Sequence, residues 1–256
     1  MKKMILLVVL GVFQWSGALA NDSMTANDII EQMDKSGAVV MEEGISKMTL
    51  TIINKKGKKR VRQIETKGKK KNGLRKMLVT FISPEDVAGT AMLSVEQANG
   101  DDLQYLYLSA LKDTRRIAGS QKNDNFMGTD FSYSDFEKRG VDSGSHTRLA
   151  DVTVSGIEAY RVDTIPSDPE TQYSKMELWI DKKDYVPLKI YFYDKKGKLF
   201  KKLISQMIEP IEGKMAITKL LMKNVQKGSK TMMELNDLSR KANFPDSLLE
   251  PENLGK

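Results

Sequence analysis

Gly44-Ile45-Ser46-Lys47-Met48-Thr49-Leu50-Thr51-Ile52-Ile53-Asn54-Lys55-Lys56-Gly57-Lys58-Lys59-Arg60-Val61-Arg62-Gln63-Ile64-Glu65-Thr66 is the stretch that decides the fold class. Met48, Leu50 and Ile52 alternate with Lys47, Thr49 and Thr51, a period of two that turns one face of a strand to a core and the other to water. Asn54-Lys55-Lys56-Gly57 supplies a turn and Arg60 to Thr66 returns, so the two runs predict a hairpin. Arg75 to Ser83 follows, apolar on both faces, with Met77, Val79 and Phe81 on one and Leu78 and Ile82 on the other. Thr90–Val95 and Leu103–Leu108 are further strands. The rhythm breaks over 112–139, where a short helix or turn packed over the sheet is expected. It then resumes in Asp151–Val154, Ala159–Ile165, Tyr173–Ile180, Pro187–Tyr193, Leu199–Ile208, Ile211–Met222 and Lys230–Leu238. About eleven strands at regular spacing predict a mainly β chain, a curved antiparallel sheet or barrel.

Upstream of Gly44 the period is helical. Thr25 can cap a helix, Asp28 stands three residues on near the positive helix end, and Ile29, Ile30 and Met33 share one face. Earlier still come Lys2-Lys3, an apolar run from Met4 to Phe13, and Ala18-Leu19-Ala20. This is the three-part layout of a cleaved secretory signal, and the run is far shorter than the ~20 residues of a membrane-crossing helix. The expected organisation is a signal over 1–20 and one exported domain over 21–256.

The chain has no cysteine, so an exported protein of this length relies on a packed core rather than disulfides. The lone histidine, His146, lies in the polar run Asp142-Ser143-Gly144-Ser145-His146-Thr147 and reads as a solvated loop residue. There is no Gly-x-Ser-x-Gly elbow, no glycine-rich phosphate loop and no histidine spacing for a metal; neither cofactor nor enzyme activity is expected. The pairs Asp130/Asp135 and Asp101/Asp102 read as caps and turns, with Ser132 and Asp135 at capping-box spacing.

Net charge is +7, concentrated in Lys55-Lys56-Gly57-Lys58-Lys59-Arg60, Lys67 to Lys71, Lys195-Lys196-Gly197-Lys198 and Lys201-Lys202. In an exported chain such clusters suit transient contact with an anionic membrane surface, not nucleic acid; the competing reading is solvated hairpin tips and guarded sheet edges.

Fifteen methionines are the unusual feature of the composition. Met48, Met77, Met92, Met176, Met215, Met222, Met232 and Met233 fall in apolar strand patterns. Methionine fills core gaps, and it also suits surfaces that accept ligands of varied shape. If helices cover one face of the sheet, that face can enclose an apolar cavity. The predicted lining is Met48, Leu50, Ile52, Met77, Val79, Phe81, Leu106, Leu108, Leu178, Trp179, Ile190 and Phe192. Phe126, Met127, Phe131, Tyr133 and Phe136 are the predicted lid or partner surface.

Leu111-Lys112-Asp113-Thr114-Arg115-Arg116-Ile117-Ala118-Gly119-Ser120, followed by Phe126-Met127-Gly128-Thr129-Asp130-Phe131-Ser132-Tyr133-Ser134-Asp135-Phe136, resembles the LolA-like outer-membrane lipoprotein-sorting proteins. Pro84 to Leu93, Trp179-Ile180-Asp181 with Pro187-Leu188-Lys189, and Tyr193-Asp194-Lys195-Lys196-Gly197 are similar too, so the likeness runs through most of the chain. The resemblance implies an unclosed antiparallel β-barrel with helices on its concave side. It implies a periplasmic carrier that binds the acyl chains of lipids or lipoproteins, partnered by an inner-membrane export permease of the RND type. Arg62, Arg75, Arg115 and Arg116 are all placed to be the arginine that locks the lid in the classical carrier. A structural adaptor of a membrane transporter, with an ordinary filled core, is the alternative reading.

Overall fold

The hairpin forms as read. The structure, a computed structural model, describes residues 23–38, 43–98, 100–137 and 139–256; the signal expected over 1–20 lies outside them. Strand β1 (Gly44–Ile53) pairs antiparallel with β2 (Lys59–Lys71), Met48 opposite Ile64 and Leu50 opposite Arg62. In the turn between them Asn54 Oδ1 accepts the backbone N–H groups of Lys56 (2.9 Å) and Lys58 (3.0 Å). Gly57 takes φ +80°, a conformation that costs glycine nothing.

The same local chemistry repeats along the chain. β3 (Leu74–Ser83), β4 (Ala91–Val95), β5 (Leu103–Leu108) and β6 (Asp113–Ile117) form one run. β7 (Gly144–Val154), β8 (Ile157–Pro166), β9 (Tyr173–Asp181), β10 (Pro187–Asp194), β11 (Leu199–Ile211), β12 (Lys214–Asn224) and β13 (Ser229–Ser239) form the other. All are antiparallel to their neighbours in one sheet, ordered β6-β5-β4-β3-β2-β1-β13-β12-β11-β10-β9-β8-β7. The two runs join where β1 meets β13, Ile53 opposite Lys230 and Ile45 opposite Ser239. The sheet does not close: β6 and β7 are its edges, and the chain between them, 118–143, crosses its concave side. Among the described residues the fold is therefore the expected unclosed antiparallel barrel with one α-helix.

Among the described residues thirteen strands replace the expected eleven or so. β6 falls where the rhythm was read as broken. Asp113-Thr114-Arg115-Arg116 carries no apolar alternation, because an edge strand needs only backbone pairing with β5 and gains from outward charge. β7 begins at Gly144, before any apolar residue, with Gly144 packed against the Ile165 carbonyl.

Helix α1 (Ala26–Ser36) starts at the predicted cap: Asp28 N–H donates to Thr25 Oγ1 (3.2 Å) and Thr25 N–H to Asp28 Oδ2 (2.8 Å). Ile29, Ile30 and Met33 are buried as one stripe, and they lie over the concave face with Leu50, Ile64, Met77, Val79, Leu178, Phe192 and Met222 in the main core.

A second, smaller core lies on the convex side. Leu78, Ala91 and Leu93 are covered there by Phe244, Leu249 and Leu254 of the C-terminal segment, which runs through two 3-10 turns, Asp246–Leu249 and Pro251–Asn253. Lys69 donates to the Phe244 carbonyl and pairs with Asp246 (2.6 Å), and Lys76 pairs with Glu250 (2.7 Å). This strap explains why β3 is apolar on both faces: Leu78 packs under it, whereas Ile82, beyond its reach, is 50% exposed.

Candidate functional site

A cavity of about 140 Å³ remains between the concave face, α1 and the crossing segment. Its walls are mostly apolar: Ile30 and Met33 from α1, Phe131 and Phe136 from the crossing segment, and Met48, Ile64, Met77, Val79, Met176, Leu178, Ile190, Phe192, Leu203, Leu220, Met222 and Met233 from eight strands. Six methionines thus face one space.

Six of the twelve predicted lining residues, Met48, Met77, Val79, Leu178, Ile190 and Phe192, are at the cavity wall. Leu50, Phe81 and Leu106 share that face but lie inside packed core, and Leu108 is half-buried against it. Ile52 is buried, outside both core clusters. Trp179 is a correction. It alternates with Leu178 and Ile180, which point inward, so its ring is on the convex face. There it packs 4.8 Å from the Tyr191 ring with the Lys189 ammonium 4.2 Å above it. Ile64, Leu203 and Leu220 were missed, although their alternation was legible. Met176, Met222 and Met233 were flagged only by residue type.

The crossing segment carries the predicted lid residues. Phe126–Gly128 and Tyr133–Phe136 are 3-10 turns, and Asn125 bridges to Ser132 to close the loop between them. The predicted Ser132–Asp135 capping box forms. Phe126 is the hub: its ring is 5.5 Å from Phe81, 5.7 Å from Tyr133 and 4.8 Å from Phe136. Phe131 and Phe136 reach the cavity, Tyr133 is buried and Met127 half-buried. Three strands hold the segment down. Gln104 of β5 donates to the Tyr133 carbonyl (2.9 Å). Asp130 accepts from the hydroxyls of Thr231 (2.8 Å) and Ser229 of β13. Arg62 of β2 donates to the Met127 carbonyl with its guanidinium 5.5 Å over the Phe81 ring. Burial, then the charge of Arg60, pushes the Arg62 pKa down. Of the four arginines with a suitable position, Arg62 is the one bonded to the crossing segment; Arg75 pairs with Glu96 (3.3 Å) at the cavity wall, Arg115 pairs with Asp113 (2.8 Å), and Arg116 is exposed on β6.

One wall of the cavity is charged. Asp135 receives Arg139 Nη2 (2.6 Å), Lys201 Nζ (3.5 Å), the Tyr173 hydroxyl (3.0 Å) and the Ser132 N–H (2.8 Å). The Arg139 guanidinium also lies 5.2 Å over the Phe192 ring. Burial pushes the Asp135 carboxyl up, but Lys201, Arg139 and Ser132 together outweigh it and hold it at about 2. Lys201 of the expected basic cluster is not at the surface: it is only 2% exposed, and burial pushes its pKa down against the pull of the Asp135 carboxylate. Asp135 was read as a cap; it is a cap and also the anion of this cluster.

His146 is a second correction. It is not a solvated loop residue but a half-buried member of β7 at the cavity wall. Nε2 donates to the Val141 carbonyl (3.0 Å), which can only accept, and Nδ1 is hydrogen-bonded to the Thr164 hydroxyl (2.8 Å). Among the described residues no group of three His, Asp or Glu side chains is disposed to hold a metal.

Comparison with known proteins follows the fold. A family model described as "-like: Uncharacterized protein" matches residues 73–256. A solved protein described as an outer-membrane lipoprotein-sorting domain, from Vibrio parahaemolyticus, is 30% identical with a TM-score of 0.82, over 89% of this chain and 97% of its own. A DUF1329 family protein from Desulfovibrio piger is 30% identical with a TM-score of 0.83, over 90% and 97%. A LolA superfamily protein from Nitrosomonas europaea shares the fold at 16% identity, TM-score 0.71, over 89% and 98%. No curated protein matches the sequence.

Proposed function

The chain belongs to the LolA-like family of outer-membrane lipoprotein-sorting proteins, and from that premise we propose that it is a periplasmic carrier whose cavity shields the acyl chains of a lipid or lipoprotein. The observation that carries the reading is the cavity itself: an apolar space walled by six methionines and partly covered by α1 and the crossing segment. Exposing an acyl chain to water costs about 0.8 kcal/mol per CH₂, roughly 12 kcal/mol for sixteen carbons. A protein concavity that replaces water removes most of that barrier to crossing an aqueous compartment. Flexible methionine side chains can reshape around chains of different length and branching.

In this reading Arg62 is the latch. Its bond to the Met127 carbonyl ties the crossing segment to β2, and releasing it frees the segment. Export is by the signal over 1–20, the rest acts as one domain, and the partner that loads or unloads the carrier is an inner-membrane export permease.

The test is native mass spectrometry of the protein taken from the periplasm, with lipid extraction of the same sample. Near-stoichiometric lipid or acylated protein is expected, and Phe131→Asp, which puts a carboxylate on the cavity wall, is expected to lower capture severalfold while export is unchanged. A protein that is reproducibly empty and takes up no lipid from vesicles would defeat the carrier reading in favour of a transporter adaptor.

A further inference from the structure

Three lysine-rich turns meet at one end of the sheet. The β1–β2 turn presents Lys55, Lys56, Lys58 and Lys59, all exposed. The β12–β13 turn stands next to it: Gly228 lies against Lys55, and Lys223 and Lys230 flank the turn. The β10–β11 turn is next again, its Asp194 receiving the Gln226 amide (2.8 Å), and it presents Lys196 and Lys198. These turns share one chemistry: Asp194 Oδ1 accepts the N–H groups of Lys196 and Lys198 (both 2.9 Å) just as Asn54 does in its own turn. The turn's one carboxylate is thereby engaged by backbone N–H groups and by the Gln226 amide, and the Lys198 charge also acts on it.

Some lysines of the strands and strap have carboxylate partners: Lys76 with Glu250 (2.7 Å), Lys175 with Asp163 (2.9 Å), Lys219 with Glu234 (2.8 Å). Among the described residues, none of the eight turn lysines just named has a carboxylate in ion-pair range. Edge protection does not account for them, because β1, β2 and β10 to β13 are interior strands and the edges are β6 and β7. Apart from Asp194, the acidic groups at this end lie outside the three turns: Glu85, Asp86 and Asp113 on the β3–β4 and β5–β6 side, and Asp168 and Glu170 in the β8–β9 turn, which Lys195 touches through the Pro169 carbonyl (3.3 Å). The opposite end interleaves Lys183 and Lys214 with Asp184, Glu209 and Glu212.

Apolar side chains are exposed at the same end. Val61 near the start of β2, Ile82 at the end of β3, Leu111 in the β5–β6 turn and Ile165 at the end of β8 are each half or more exposed. They are spread around the rim rather than gathered into a groove. A rim of separate aliphatic side chains beside unpaired ammonium groups fits a bilayer, which takes cations at headgroup depth and aliphatic groups just beneath. An acidic protein would offer no counterpart for the scattered aliphatics. The crossing segment reaches this end too, with Gly128 beside the Arg60 guanidinium and Lys227 Nζ bonded to Asn125 Oδ1 (3.1 Å).

We propose that the end formed by the β1–β2, β10–β11 and β12–β13 turns docks on an anionic lipid surface. The proposal rests on the carrier reading only in naming where a carrier would meet its lipid. Docking places the crossing segment at the membrane, so that the covered cavity opens toward the source or destination of the acyl chain.

Co-flotation of the purified exported protein with phosphatidylcholine vesicles, with and without phosphatidylglycerol, tests it. Binding is expected only with phosphatidylglycerol, weakening as salt shortens the screening length from ~10 Å at 0.1 M to ~3 Å at 1 M. Each lysine near an anionic surface strengthens binding about fivefold, so the Lys55→Gln, Lys56→Gln, Lys196→Gln, Lys198→Gln quadruple variant should lose on the order of a hundredfold or more. Lys183→Gln, Lys214→Gln, Lys241→Gln, at the opposite end, should bind as the parent does. Equal binding to both vesicle types, binding to neither, or equal losses in the two variants would each overturn the proposal. Acyl-ligand loading from detergent, read by native mass spectrometry on the same quadruple variant, should be unchanged. Loading without docking therefore sinks this proposal alone, and docking without loading sinks the carrier reading alone.

Discussion

Asp135 shows how one side chain can join the cover to the wall. It caps its own turn through Ser132, and it neutralises Arg139 and Lys201 where an apolar cavity would otherwise hold two unmatched cations. Removing one partner of a buried ion group leaves the others uncompensated, at about 3–5 kcal/mol. Asp135→Asn should therefore destabilise by that order in urea unfolding, whereas Lys201→Met, which leaves the Asp135–Arg139 pair, should cost less. Equal losses would mean that the cluster does not act through its anion. The pH dependence has a definite sign. The folded carboxyl titrates at about 2, below its ordinary value of about 4. Its stabilisation of roughly 2 kcal/mol is thus complete above about pH 4 and is lost as pH falls toward 2. Asp135→Asn should flatten stability across that window.

At the scale of elements, the two faces of β3 are covered by segments far apart in sequence. The inner face carries Met77, Val79 and Phe81 to the cavity and its packed surround, and the outer face carries Leu78 to the C-terminal strap. Leu249 is the strap's buried anchor. Leu249→Ala should cost about 2–5 kcal/mol, the range for large-to-small core changes, and lower the thermal midpoint. Acyl loading should be unchanged, since a sheet separates the strap from the cavity. Loss of loading at unchanged stability would show the two faces to be coupled. The strands themselves were readable because β-alternation is local. The strap was not, because Asn243-Phe244-Pro245 and Leu248-Leu249 are apolar spots without a period, given meaning only by Leu78, Leu93 and Tyr105 opposite them.

For the whole molecule, the decisive quantity is volume. A cavity of about 140 Å³ is near the size that takes up one benzene, and a sixteen-carbon acyl chain has more than twice as many carbons. Carriage therefore requires the covers to move. α1 and 119–143 are the parts that can do so, since the strands hold one another in a continuous hydrogen-bonded sheet. Loading with an acyl ligand should raise amide hydrogen exchange in 26–36 and 119–143 while β1 and β13 stay protected. Arg62→Leu should raise exchange in 119–143 without ligand. Unchanged exchange on loading would mean that the closed cavity is not the ligand site.

The sequence by itself determined the strands other than β6, their turns, the helix cap, the capping box in the crossing segment and a sheet too long and too regular for any other class, because periodicity, caps and turn residues act over a few neighbours. It also carried half of the cavity wall, through alternation on β1, β3, β9 and β10. Only the tertiary structure decided which face of β9 is inner, turning Trp179 outward, and that His146 pairs with Thr164 in a strand. It alone gathered Asp135, Arg139 and Lys201 around one carboxylate and set lysines from three distant turns side by side. These features depend on which strands become neighbours after a meander of thirteen, and β1 meeting β13 is a pairing that no local pattern encodes.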